Sequence, residues 1–86
     1  MARVQFYAGL RQAAGCKEAD VPGATVAEVL QALVGEHPAL GAALFHEGRL
    51  SAIIILNGRT LDPSQGLETA LNENDAIAIF PPISGG

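Results

Sequence analysis

Apolar and polar residues alternate near both ends of the chain, and a helical period lies between them. Arg3-Val4-Gln5-Phe6-Tyr7-Ala8 puts Val4, Phe6 and Ala8 on one side and Arg3, Gln5 and Tyr7 on the other. That period of two marks a half-buried strand. Ala76-Ile77-Ala78-Ile79-Phe80 repeats it close to the C-terminus. With Ile77 and Ile79 facing a core, Ala76, Ala78 and Phe80 face away from it. Between these strands, Thr25-Val26-Ala27-Glu28 reads as a capping box, in which Thr25 accepts from the Glu28 amide. Val26, Val29, Leu30, Leu33 and Val34 then follow the i, i+3, i+4, i+7, i+8 stripe of a helix with one buried face. Gly35 and Pro38 close that helix at about ten residues.

The remaining segments are shorter. Gly9 to Gly15 predicts a loop or helical turn around Leu10 and Ala13-Ala14, and Cys16 to Val21 a solvated second strand ended by Pro22-Gly23. Ala39 to Phe45 predicts another short helix, with a turn at Glu47-Gly48. Leu50 to Leu56, containing Ile53-Ile54-Ile55, is the most β-prone run. Asn57-Gly58 follows it, the favoured pair for a type I′ hairpin turn, then Arg59-Thr60-Leu61. Asp62 to Asn74 reads as loop with one helical turn near Leu67 to Leu71.

The order β-β-α-β-β-β gives an α+β fold in two layers. One main helix packs across a mixed four- to five-stranded sheet, with the first and last strands side by side and parallel. Residues 1–80 form the domain, and 81–86 form a flexible tail ending in Gly-Gly. The outward positions matter for function. Phe80, Tyr7 and one pair from β-prone residues 53–56, either Ile53 with Ile55 or Ile54 with Leu56, make an apolar patch at the root of the tail. Such a patch is a protein-binding surface unless residues 62–72 fold over it.

Composition narrows the chemistry. Of the 86 residues, 49% are hydrophobic and 16% charged, which is enough apolar content for a core without staples. One cysteine rules out an internal disulfide framework, and two scattered histidines add no metal-ligand cluster. No bound metal or cofactor is expected. No apolar run reaches the ~18 residues of a membrane span, and no signal peptide is visible, so a soluble cytoplasmic protein is expected. The net charge of −4, with unclustered cations, argues against nucleic acid as a partner.

Few side chains are equipped for reaction. Cys16 has no activating base nearby in sequence, His37 precedes a proline, and His46 sits beside a turn. Neither a Ser/His/Asp set nor a glycine-rich phosphate loop appears. The C-terminal stretch Pro81-Pro82-Ile83-Ser84-Gly85-Gly86 is different. The two prolines stop the last strand, since neither donates a ladder hydrogen bond. A carboxylate on Gly86 can attack the α-phosphate of ATP held by a partner, giving an acyl-adenylate open to sulfur or an amine. Gly85 and Gly86 allow a narrow channel around the reacting carbonyl. The four residues beyond Pro82 reach at most about 14 Å into a neighbouring pocket.

The chain resembles the ubiquitin-like (β-grasp) sulfur carriers of the MoaD/ThiS family, in particular the small subunit of molybdopterin synthase. The resemblance is carried by Asn74-Asp75 opening the last strand, by Phe-Pro-Pro-Ile-Ser-Gly-Gly at 80–86, and by Val4 to Arg11. It implies that Gly86 is adenylated by a ubiquitin-activating-type adenylyltransferase using ATP. A sulfur donor such as a cysteine desulfurase or rhodanese then converts it to a thiocarboxylate. It further implies that the large synthase subunit, in a heterotetramer, draws in the tail (Pro81, Pro82, Ile83, Ser84, Gly85) for sulfur transfer to a pyranopterin precursor. Phe80, Tyr7 and Leu61 fall where the family's partner-facing apolar residues lie. Gly66-Leu67-Glu68-Thr69 is closer to carriers serving cysteine synthesis or other thiolations. Thiamin, tRNA thiolation, attachment to lysines and a non-catalytic binding module stay open as destinations.

Overall fold

Eleven short segments of regular structure build two layers in the structure, a computed structural model that describes residues 2–62 and 66–81. In chain order they are β1 (Ala2–Phe6), α1 (Leu10–Ala14), β2 (Glu18–Val21), α2 (Val26–Glu36), α3 (Pro38–Leu44), β3 (Phe45–His46), β4 (Arg49–Leu50), β5 (Ile53–Leu56), β6 (Arg59–Thr60), a 3-10 turn (Gly66–Glu68) and β7 (Ala76–Phe80). The main sheet has the order β2-β1-β7-β5-β6, and β3-β4 form a separate hairpin. β1 and β7 lie parallel at its centre, with Val4 opposite Ile77 and Phe6 opposite Ile79, as the alternation at the two ends of the chain predicts. The other pairings are antiparallel.

Alternation decides the two faces of the sheet. Ala2, Val4, Phe6, Val21, Ile54, Ile77 and Ile79 are buried on the inner face, against Val26, Val29, Leu30 and Leu33 of α2. Each Val, Leu, Ile or Phe side chain among them contributes about 1.5–3 kcal/mol when removed from water. The predicted N-cap at Thr25 forms, with the Glu28 amide donating to Thr25 Oγ1 at 3.3 Å. The Thr25 hydroxyl lies 3.3 Å from Glu28 Oε2. A cap of this kind stabilises a helix by about 1 kcal/mol.

Helices cover the inner face more completely than one stripe implies. α1 supplies Leu10 and Ala14, and α3 supplies Leu40 and Leu44, to the same core. The loop at 66–71 also joins this side. Thr69 O accepts from Val26 N at 3.1 Å, and Leu71 N donates to Ala24 O at 2.8 Å. The Thr69 carbonyl thereby satisfies one of the amides that every helix start leaves open. Gly23 permits the close approach there, since a Cβ on it would lie 2.8 Å from Val29 Cγ2 and 2.9 Å from the Val29 amide nitrogen.

Two boundaries differ from the sequence expectation for identifiable reasons. Ala8 does not continue the inner row of Val4 and Phe6. It turns out into solvent with φ +53°, a left-handed conformation costing about 1–2 kcal/mol for a non-glycine residue. The β-prone run also divides. Leu50 pairs with Phe45, while Ser51 N and Ala52 N both donate to Leu44 O at 2.8 and 3.3 Å, so β5 starts only at Ile53. Asn57 (φ +50°) and Gly58 (φ +87°) form the expected tight turn between β5 and β6.

Candidate functional site

The outer face of the sheet carries the site, because no described element packs on it. Antiparallel register places Phe80 opposite Ile53 and Ala78 opposite Ile55. Ile54 is buried at 1% exposure, so Ile53 and Ile55 form the outward pair. Between them, Ala8, Ile53, Ile55, Phe80 and Pro81 line an open apolar depression of about 370 Å³. The described part of the loop that was a candidate cover, residues 66–72, docks against the start of α2 on the other side.

Tyr7 and Phe80 form the edge of this depression as a stacked pair, with ring centroids 4.3 Å apart and planes 11° from parallel. The Tyr7 amide donates to Ile79 O at 3.1 Å, which extends the β1–β7 ladder to the foot of the last strand. The Tyr7 hydroxyl donates to Gln5 Oε1 at 3.1 Å. Arg11 Nε donates to Phe6 O at 3.0 Å, and its guanidinium carbon lies 5.7 Å from the Tyr7 ring centroid. The stack and the cation together hold both rings in one orientation while leaving them half-exposed.

The face changes character along its length. At the far end Arg3 and Asp20 approach at 3.6 Å beside Glu73, Asn74 and Asp75. β7 is anchored there by a local network. Asp75 accepts from the Asn72 amide at 2.7 Å and from Asn57 Nδ2 at 2.9 Å, and Asn57 Oδ1 accepts from the Ala76 amide at 2.9 Å. Asn57 thus serves twice, as a left-handed turn residue and as a clamp between the β5–β6 turn and β7. The Asn72 amide and then the Asn57 side chain hold the Asp75 carboxyl below its ordinary value of 3.8.

A folded pKa below the unfolded one means that the unfolded chain takes up the proton first as the pH falls. The stabilisation is therefore complete at neutral pH and is lost as the pH drops through 3.8 toward the lower folded value. Thermal melting of wild type and Asp75→Asn across this window should show a steeper acid decline in wild type. Parallel curves would contradict the role given to Asp75.

Of the residues singled out by sequence, the structure brings together Tyr7, Phe80 and Pro81. Leu61 lies elsewhere: it packs partly buried against the core and beside Gly66, and its amide donates to Ile54 O at 2.8 Å. Pro82, Ile83, Ser84, Gly85 and Gly86 lie outside the described residues. Arg11 and Ala8 complete the rim without having been expected there. Arg11 lies in the Val4 to Arg11 stretch that carries the family resemblance, whereas alternation puts Ala8 on the inner face. Among the described residues, no helix is long and apolar enough to cross a membrane, and no three His, Cys, Asp or Glu side chains are grouped to hold a metal ion.

Together, the parallel central strands, the crossing helix and the bare outer face define a ubiquitin-like β-grasp domain. A profile of the ThiS family matches residues 4–86, and the chain belongs to that family. Small archaeal modifier protein 3 of Haloferax volcanii is 34% identical over 89 residues, covering 96% of each chain. The molybdopterin synthase sulfur carrier subunit of Chlamydomonas reinhardtii is 30% identical over 87 residues, covering 98% of this chain and 96% of its own. The solution structure of small archaeal modifier protein 1 from Methanosarcina acetivorans superposes with a TM-score of 0.87 at 38% identity, covering 99% of this chain and 95% of that one.

Proposed function

We propose that this chain is a sulfur carrier serving molybdopterin synthesis as the small subunit of molybdopterin synthase. The observation that carries the reading is the bare apolar strip of Tyr7, Ile53, Ile55 and Phe80 at the foot of the segment that ends in Gly86. In this reading residues 1–80 are a handle and 81–86 are the tail. The Gly86 carboxylate attacks the α-phosphate of ATP on an adenylyltransferase, and pyrophosphate leaves. The terminal sulfur of a persulfide on a desulfurase or rhodanese then attacks the acyl carbon and AMP leaves; a second protein thiol cleaves the resulting acyl disulfide, so that Gly86 becomes a thiocarboxylate and the donor cysteine ends in a disulfide with that thiol. The chain itself holds no cofactor.

The large synthase subunit would seat the Phe80 strip and admit Pro82, Ile83, Ser84 and Gly85 into its active site. Relatedness to a molybdopterin synthase sulfur carrier subunit supports that destination. Relatedness to small archaeal modifier proteins favours a second one, in which the activated Gly86 acylates amines of other proteins. Cysteine, thiamin and tRNA thiolation use the same thiocarboxylate and differ only in the acceptor.

The experiment separating these supplies the chain as its thiocarboxylate to a synthase large subunit with the cyclic pyranopterin precursor. The expected result is a dithiolene product, with the chain returned to its free carboxylate. A thiocarboxylate that stays on the chain while the large subunit turns over its own carrier contradicts the molybdopterin assignment.

A further inference from the structure

Asn57-Gly58 is the one Asn-Gly pair in the chain, and the fold gives its asparagine more partners than a tight turn requires. Asn57 at φ +50° and Gly58 at φ +87° are the two central residues of the β5–β6 hairpin, with Leu56 opposite Arg59. Asn57 N donates to Ala76 O, Asn57 Oδ1 accepts from Ala76 N, and Asn57 Nδ2 donates to Asp75 Oδ1, each at 2.9 Å. Both turn residues are exposed, so water reaches the carboxamide. Among the described residues no carbonyl accepts from the Gly58 amide, and glycine places no Cβ beside it. An asparagine followed by such an amide is thermally labile, since the amide nitrogen can close a five-membered ring on the side-chain carbonyl. The folded turn opposes that closure in two ways. In a type I′ turn the first central residue has ψ of about +30°, which turns the Gly58 nitrogen nearly anti to the Asn57 Cβ. The carboxamide is also tied to β7 at both its oxygen and its nitrogen.

We propose that Asn57 is a site of spontaneous deamidation, guarded by its clamp on β7, and that its conversion permanently unfastens the β5–β6 turn from the last strand. When the turn opens, Gly58 N attacks Asn57 Cγ and a C–N bond forms. The Cγ–Nδ2 bond breaks, and Nδ2 leaves as ammonia with the proton that Gly58 N gives up, so a succinimide remains. Water then opens the ring at one of its two carbonyl carbons, leaving aspartate or isoaspartate. Neither fits the clamp. A carboxylate at position 57 has no N–H for Asp75 and stands beside it with the same charge. Isoaspartate also adds a methylene to the backbone of a two-residue turn, which breaks the Leu56–Arg59 register. Each opening of the hairpin that fastens the start of β7 therefore carries a chance of irreversible marking, and a marked chain does not regain the clamp.

The test stores the full chain, folded, in mildly alkaline buffer beside the same chain in urea, and follows both by intact mass and peptide mapping. The expected product carries one O in place of one NH at Asn57, with isoaspartate identified by enzymatic methylation of its carboxylate. Folded wild type should convert at least about tenfold more slowly than the unfolded chain, because the reacting atoms are held out of line. Asp75→Ala, kept well below its melting temperature, should convert about tenfold faster than folded wild type, having lost a hydrogen bond to an ionised group. Asn57→Asp, which needs no incubation, should melt below wild type. Equal rates in the folded and unfolded chain, a wild-type rate in Asp75→Ala, conversion confined to Asn72 or Asn74, or Asn57→Asp melting with wild type would each overturn the proposal.

Discussion

A chain lacking Gly86 should melt where the full chain melts and should no longer be adenylated. The two halves of that result have separate physical causes. Every residue of the described buried apolar core lies between Ala2 and Ile79, and a glycine has no side chain to add to it. Activation instead depends on where the attacking carboxylate sits. Shortening the tail by one residue withdraws it by about 3.3 Å. A misplacement of even 1 Å in a near-attack geometry costs on the order of a hundredfold. Gly86→Val keeps the length but places a branched side chain beside the reacting carbonyl, and should fail to a similar degree. Pyrophosphate release with the activating enzyme measures the first half, and thermal melting the second. Adenylation of the shortened chain at the full rate would remove Gly86 from the mechanism.

Phe80→Ala should weaken binding to the large synthase subunit by about thirtyfold or more, the loss of roughly 2 kcal/mol expected for a central aromatic anchor. The ring is half-buried, stacked on Tyr7 at 4.3 Å, and opposite Ile53 in the register. It is therefore oriented before a partner arrives and loses little side-chain entropy on docking. Folding stability should fall by only about 0.5–1.5 kcal/mol, the stacking contribution. Tyr7→Phe keeps the stack and removes only the hydroxyl bond to Gln5, so its binding should stay near wild type. Titration calorimetry beside melting curves reads both quantities. Wild-type affinity in Phe80→Ala would move the docking surface off this face.

Much of the fold is legible in the sequence alone. Strict alternation in Val4-Gln5-Phe6 and Ile77-Ala78-Ile79 determines which side chains face inward, because a one-residue slip exchanges the faces. The N-cap at Thr25 and the Asn57-Gly58 turn were readable because each rests on contacts between sequence neighbours. What sequence left open depended on distant partners. Ile53-Ile54-Ile55-Leu56 has no alternation, and the choice came from pairing Ile54 with Ile79 across the sheet. Ala8 leaves its row only because the chain must turn into α1, which no local propensity announces. Leu61 took its expected position from family likeness, whereas the Gly66 turn packs against it on the core side. The role proposed for 81–86 rests on the chemistry of its residues rather than on their conformation.

The central claim is that this domain is a handle for a carboxylate that others charge and discharge. Its most direct test is the intact mass of the chain after incubation with a cognate adenylyltransferase, ATP and a sulfur donor. The expected mass change is one oxygen replaced by one sulfur, localised to Gly86 and dependent on ATP. A mass that stays constant under these conditions, with the enzyme active on another carrier, would contradict it.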